Sequence, residues 1–287
     1  MTTPPASLPE RFPEWRSVQW PNGARVAVLV TLAFESFEQH SQFTTEAHAG
    51  VNPFSLSYGE YGARSGAWRL MAMLEDVGVR ASVGVSGQAA ERHPEVLAAL
   101  AARGHELTGH GWVNDQAMPS GDAGREVVAR SLDAIEAAAG VRPVGWISPG
   151  KIGSPDADEI LLDAGLIYSG DDASDDLPFV RAVGERRIAV IPSADLASND
   201  LLHWGLRGQH PDVLLDGFRM TFDAVYEEAM AGRCGMIGLV LHSHTAGRPT
   251  LIPAVRELLR DCARHEGVWF TTPDELARLA LDGDWRR

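Results

Sequence analysis

The feature that most limits what this chain can fold into is a repeated change of hydrophobic rhythm, short β-branched apolar runs alternating with longer stretches of helical period. The segment Arg25 to Leu32 (RVAVLVTL) is the first such run, continuous as a strand buried on both faces must be. Behind it the pattern predicts a helix from Ala67 to Val77, a strand from Ala81 to Val85, a helix from Pro94 to Ala102 stopped at Gly104, and a strand from Glu106 to Thr108. It continues with helix 124–139 ended by Gly140, strand 143–147, helix 156–164 and strand 166–168. Strands follow at 188–191 and 236–241, flanking helix 216–230, and then helix 252–265, strand 268–270 and helix 273–281. Seven or eight strand-helix repeats with short connections imply an α/β fold with a parallel sheet, either doubly wound or closed as a barrel, and the barrel is favoured. One domain over residues 1–287 fits a barrel of this length, with 1–21 as an extended Pro-rich lead-in. The segment 34–66 shows no clear period and is expected to wrap the substrate side.

Composition removes several function classes. The 25 Lys and Arg stand against 39 Asp and Glu, a net charge of -14 that opposes nucleic acid or an anionic membrane as partner. Two cysteines, Cys234 and Cys262, are too few for a disulfide scaffold, and neither lies in a CxxC pattern. The first 21 residues hold no apolar core of signal-peptide length, and no run approaches a membrane span, so the expectation is a cytoplasmic protein acting on a small molecule. The long 34–66 segment makes a homo-oligomer the expected assembly.

In a parallel barrel or doubly wound sheet, chemistry collects at the carboxyl ends of the strands. Those positions here hold Glu35, then His110 and Asn114, then Ser148 and Lys151, then Asp171 and Asp172, then Asn199 and Asp200, and finally His242 and His244. A lone His or Asp at a strand end is more often a satisfied cap than a catalyst. Their concentration at one predicted mouth favours function. There is no GxSxG elbow, no Cys-His signature and no glycine-rich phosphate loop to support other schemes.

Six segments carry a resemblance. They are EYGARSGAWR at 60–69, GHELTGHGW at 104–112, the stretch 145–178 ending in DDLP, Ser-Asn-Asp at 198–200, LHSHTAGRP at 241–249 and GVWFTTPDELA at 267–277. In this order they resemble the polysaccharide-deacetylase (NodB homology) superfamily, and within it the branch of metal-independent allantoinases and cyclic-imide hydrolases. The resemblance implies a distorted (β/α)7-type barrel and hydrolysis of a non-peptide carbon-nitrogen bond. Metal-dependent members carry an acidic pair after the first strand and a His-x-x-x-His. Here the position resembling the catalytic base is Ala33 and that resembling the second ligand His is Asn114. An amide oxygen is a poor zinc donor, so no cofactor is expected to be required; an ion, if held, would use Glu35, His110 and Asn114.

The expected catalytic set is Glu35, His110 and His242. Glu35 lies just past a buried strand, where an apolar wall could raise its pKa toward neutrality for acid-base work, and its structural alternative is a buried acid paired with a loop amide or Arg64. His110 sits between two glycines that let backbone approach a ligand. His242 and His244 alternate at a strand end, so they are expected to face opposite sides; the resemblance favours His242 as the group that protonates a leaving nitrogen or stabilises an oxyanion. Substrate contacts are expected from Tyr61 and Arg64 as aromatic wall and anchor, from Trp112, Asn114, Ser148 and Lys151, and from Asp172, Asn199, Asp200 and His244. Three readings remain open: ring opening of a small cyclic amide (ureide or imide), N-deacetylation of an acetamido sugar, and a catalytically inactive ligand binder. The reading of Asn114 as an abandoned ligand position predicts that Asn114→His raises zinc affinity. Calorimetric titration with zinc checks it, and an unchanged affinity would contradict it.

Overall fold

The computed structural model describes residues 19–41, 50–192 and 198–283; most of the N-terminal lead-in, residues 1–18, lies outside them. In chain order the elements are β1 (Val26–Phe34), α1 (Pro53–Tyr61), α2 (Ala67–Val77), β2 (Ser82–Val85), α3 (Gly87–Arg92), α4 (Pro94–Ala102), β3 (Glu106–Gly109), α5 (Gly121–Ala139) and β4 (Gly145–Trp146). Then come α6 (Ala157–Asp163), β5 (Tyr168–Ser169), β6 (Phe179–Val183), β7 (Arg186–Val190), α7 (Pro211–Met230), β8 (Gly235–His242), α8 (Ile252–Ala263), β9 (Val268–Thr271) and α9 (Pro273–Asp282). The strands form one curled sheet in the order β6-β7-β5-β4-β3-β2-β1-β8, with β9 also on β1. Every pairing is parallel except the β6–β7 hairpin. This is the parallel α/β sheet that the rhythm of the sequence predicts, curled into the distorted barrel that the resemblance implies.

β1 is the axis of the fold, and all nine of its residues are buried. It pairs with β8 along one side over Val26 to Ala33, and its other side is shared by β9 below and β2 above. Because side chains alternate along a strand, Val26, Val28, Val30, Leu32 and Phe34 pack under the helices, while Ala27 and Leu29 point into the barrel against Tyr168, Ala189 and Met236. The same inward face then turns polar as it rises through Thr31 and Ala33 to Glu35. The outer helices follow the usual one-sided logic: in α5 the buried residues are Gly124, Val128, Ser131, Leu132 and Ile135.

Three elements differ from the sequence reading. The segment 53–66 is helical, α1 running through a π-turn at Gly62–Gly66 into α2. It was obscure because α1 buries only Ser55 and Gly59 and so has no apolar stripe. The hairpin strand β6 has intermediate burial with an exposed Ala182, so it lacks a core strand's continuous run. The short helix α3 is a third addition.

Below the mouth, the barrel interior holds a chain of hydroxyls that ends on an acid. Tyr168 donates to Glu106 Oε1 at 2.6 Å, and the Tyr168 hydroxyl lies 2.7 Å from Thr108 Oγ1, which lies 3.0 Å from Ser82 Oγ. Burial, aided by the nearby Asp274 carboxylate, pushes the Glu106 carboxyl up to about 8. A folded-state value above the unfolded one means that the stabilising proton is bound below about pH 4.5 in both states and is lost from the folded state as pH rises through about 8. Stability should therefore decline between those limits. Glu106→Gln is expected to make that decline shallower in urea melts taken from pH 5 to 8.5; an unchanged slope would show that Glu106 does not carry the proton.

Candidate active site

The carboxyl ends of β3, β2, β1 and β8 lie side by side in the sheet, and they bring Glu35, His110 and His242 together. Glu35 is the centre. Its side chain is 2% exposed, His110 Nε2 lies 3.3 Å from Oε1, and His244 Nδ1 lies 3.7 Å from Oε2. Oε2 is buried without a hydrogen-bond partner.

The imidazoles of His110 and His242 are fixed from behind in different ways. His110 Nδ1 is 2.7 Å from the Ile147 carbonyl oxygen, which can only accept, so Nδ1 carries a hydrogen and any proton the ring exchanges sits on Nε2, facing Glu35. The turn that presents it needs Gly111, whose φ of +68° places it in the left-handed region and whose missing Cβ leaves room for Pro149. His242 Nδ1 donates to Asp200 Oδ1 at 2.7 Å, and the His242 backbone N–H donates to the same carboxylate at 3.0 and 3.1 Å. Asp200 is fully buried, so this contact sets both ring orientation and tautomer.

These contacts set the charges. Burial by itself would push the Glu35 carboxyl up; the charge on His242, the His110 hydrogen bond and the charges of His244 and His110 outweigh it and hold it down at about 2. Burial pulls His242 down, but the charges of Asp200 and Glu35 and the Asp200 hydrogen bond win and raise it to about 9. For His244 burial prevails, lowering it to about 4. At neutral pH the centre thus pairs a carboxylate with an imidazolium beside a neutral His244. The expected rise of the Glu35 pKa is overturned, since its wall on this side is imidazole rather than hydrocarbon.

His244 also departs from expectation. The strand ends at His242, and the turn after it brings His244 to the same carboxylate, ring centroids 5.9 Å apart. The edges of Phe37 and Tyr58 enclose it. Arg248 orders this loop: its Nε donates to the His244 carbonyl at 3.1 Å while the guanidinium stacks on Tyr58 and Tyr61.

Of the expected substrate contacts, several serve the fold instead. Arg64 is exposed, and its charge acts on Glu60, not on Glu35. Tyr61 is taken up by the 247–248 turn, with its hydroxyl 3.4 Å from the Gly247 oxygen. Trp112 lies outside the mouth under the Arg130 guanidinium, 3.4 Å from its ring centroid. Ser148 is fully buried, its Oγ accepting from Trp146 Nε1 at 3.0 Å. Asn199 Oδ1 caps the following turn by accepting from Leu201 and Leu202. Asp172 is paired with Arg181, and Asp200 holds His242. Asn114 stays close to the centre: its N–H donates to the Ser36 carbonyl at 2.9 Å, and its Oδ1 is buried without a partner. Lys151 reaches the Gly170 carbonyl at 2.9 Å on the β4–β5 side. Asp171, named with Asp172 at the strand end but not among the expected substrate contacts, accepts the Ser148 N–H at 2.7 Å, and its charge reaches His110.

A zinc site of the kind the resemblance implies is not formed by these donors. Glu35 and His110 face each other, but the third position is an amide, and among the described residues no group of three or more His, Cys, Asp and Glu is placed to hold a metal ion.

With the geometry in place, comparison with known proteins can be stated. A sequence profile of the polysaccharide deacetylase family matches residues 56–169. A Schizosaccharomyces pombe protein described by the same family name is 26% identical over 294 residues, covering 90% of this chain and 91% of that protein. The structure of a probable polysaccharide deacetylase from Pseudomonas aeruginosa superposes with a TM-score of 0.81 at 26% identity, covering 90% of this chain and 92% of the other. An allantoinase structure does so with a TM-score of 0.81 at 27% identity, covering 90% and 91%. Residues 56–169 thus match the polysaccharide deacetylase family profile, and over about nine tenths of its length the chain is similar in sequence and fold to a polysaccharide deacetylase and an allantoinase.

Proposed function

We propose that the protein is a hydrolase that opens a small cyclic amide, a ureide or an imide, without a catalytic metal. The observation that carries the reading is geometric: His110 Nε2 lies 3.3 Å from the buried Glu35 carboxylate, and His242 at the end of the neighbouring strand is anchored by Asp200 at 2.7 Å. Acid and base are then present together before substrate arrives.

The reaction divides among these groups. Water held at Glu35 and His110 Nε2 attacks the ring carbonyl carbon and gives its proton to that pair. As the tetrahedral carbon collapses, the C–N bond breaks and its electron pair stays on nitrogen, which takes the proton from His242 Nε2. The products are a carboxylic acid and an N–H-terminated arm. The two transfers support each other: the His242 charge helps to hold Glu35 at low basicity, so once His242 has given up its proton at collapse the carboxyl keeps more firmly the one taken from water. A pocket lined by Glu35, Ser36, Phe37, Leu56 and Gln88 reaches the carboxylate from the α1 and α3 side and gives water a path.

Buried acceptors favour a ligand rich in N–H groups. Glu35 Oε2, Asn114 Oδ1 and Asp171 Oδ2 are buried without hydrogen-bond partners, and an unpaired buried acceptor is costly. The similarity to an allantoinase supports the same substrate class. The departures at Ala33 and Asn114 favour a second reading, a member that binds without turnover, and the same assay separates the two.

Glu35→Gln is expected to leave the melting temperature and ligand affinity nearly unchanged and to lower turnover of a cyclic amide by roughly a hundredfold to ten-thousandfold. A variant that melts early while its folded fraction keeps a normal rate would make Glu35 a structural acid. Asp200→Asn tests the acid: with the carboxylate gone, the alkaline limb of the rate profile, expected near pH 9 from His242, should move toward neutrality. A limb that stays in place would remove His242 from the proton transfer.

A further inference from the structure

Glu35 and His110 stand on strands that do not touch, because β2 runs between β1 and β3. The bonds from β1 to β2 end where the Ser86 N–H donates to the Phe34 carbonyl, and those from β2 to β3 end where the His110 N–H donates to the Val85 carbonyl. Beyond them each chain enters a loop, 36–41 after Glu35 and 111–120 after His110. The 3.3 Å contact between the two side chains therefore depends on how these loops are joined across the top of β2.

The loop after His110 is the anchored one. Val113 and Met118 are buried, and the Gly111 and Trp112 carbonyls accept the first N–H groups of α3, from Gly87 at 2.9 Å and Gln88 at 3.0 Å. From that base Asp115 reaches over to the loop after Glu35. Its carboxylate accepts three successive backbone N–H groups, from Glu38 at 3.2 Å, Gln39 at 2.7 Å and His40 at 3.3 Å. Successive N–H groups turned toward one point make a concavity that suits an anion, and a hydrogen bond to an ionised acceptor is about twice as strong as a neutral one. The adjoining Asn114 N–H donates to the Ser36 carbonyl at 2.9 Å. Gln88 closes the bridge on the α3 side: its Oε1 accepts from Ser36 Oγ and its Nε2 donates to Glu38 Oε1, both at 3.1 Å, while Gln116 Nε2 donates to Glu38 Oε2 at 2.9 Å.

An aspartate that only stops a turn accepts from its own loop, as Asp172 does from Ser174 and Asp175 from Leu177. Asp115 instead accepts from a segment 75 to 77 positions earlier in the chain. That segment continues directly from Glu35, so the grip fixes the backbone from which the Glu35 carboxylate projects.

We infer that Asp115 is a positioning residue: by gripping the 38–40 backbone from the His110 loop, it sets the distance between the Glu35 carboxylate and His110 Nε2. It touches neither substrate nor reacting atoms. Its effect on rate rests on the ring-opening reading above, whereas its effect on the Glu35–His110 contact does not.

NMR of the histidine ring nitrogens at neutral pH, on the full chain, tests the inference without a substrate. Glu35→Gln is expected to displace the His110 Nε2 signal and so to mark the response to a lost carboxylate. Asp115→Ala, which removes all three acceptor bonds, should displace that signal in the same direction, and Asp115→Asn, which keeps one acceptor oxygen, should do so by less. The His242 signals, set by Asp200, should stay in place in both. In turnover of a cyclic ureide, Asp115→Ala should lower kcat roughly tenfold to a hundredfold while changing KM by about twofold or less. An unmoved His110 signal in Asp115→Ala overturns the proposal and makes Asp115 a loop cap. Equal displacement of the His110 and His242 signals overturns it too, leaving a general support of the mouth, as does an unchanged kcat. If Asp115→Ala does not fold, the same signals in Asp115→Asn decide. Failure of the ring-opening reading is distinct: the unmodified protein would release no product, yet its variants would show the expected His110 displacement.

Discussion

A carboxylate taken out of water must find positive charge or hydrogen bonds nearby, and Glu35 is the group on which that demand falls. The neighbouring structure can be read as the answer to it. β1 carries Glu35 to the top of a fully buried strand, β3, beyond β2 on one side, delivers His110, and β8, its neighbour on the other, delivers His242. Each imidazole is in turn held from outside, His110 by a backbone carbonyl and His242 by a buried carboxylate. The difference between those two anchors divides the labour. A carboxylate behind His242 favours its charged form, whereas a neutral carbonyl behind His110 fixes the tautomer and leaves Nε2 toward Glu35.

The two departures from the metal-dependent pattern make sense together. Ala33 lies on the same strand face as Glu35 and is in register with His242. A carboxylate at that position would have placed a second negative charge beside the first and called for a cation stronger than an imidazolium. With alanine there, the charge on Glu35 is answered by the surrounding imidazoles, that of His242 foremost. Asn114 completes the change, since loss of an imidazole on the β3 side removes the donor that a metal would need while leaving a buried acceptor for an N–H.

Much of this was legible in the sequence because it depends on strand ends. The continuous run at β1, the paired glycines around His110 and the His at the end of β8 are local patterns, and parallel topology carries them to one mouth. What was not legible depends on tertiary register. The inward-facing side of β5 is set by a strand only two residues long, so choosing Asp172 over Asp171 was a matter of one position in a loop of four aspartates. The turn after His242 reverses the alternation that would have sent His244 away. Trp112 and Arg64 carry residue types suited to binding, but the faces they occupy are fixed by α5 and by the π-turn before α2, and neither face turns to the mouth. α1 was hidden for a different reason, being held by its Asn52 cap and by contacts at Ser55 rather than by an apolar stripe.

The central claim is that a buried carboxylate set among imidazoles performs the hydrolysis without a metal. Turnover of a cyclic ureide by purified protein, measured before and after exhaustive chelation with metal content followed in the same samples, tests it most directly. The account predicts a rate that survives metal removal and does not rise when zinc is returned. A rate that falls to background on chelation and recovers with one equivalent of zinc would contradict it.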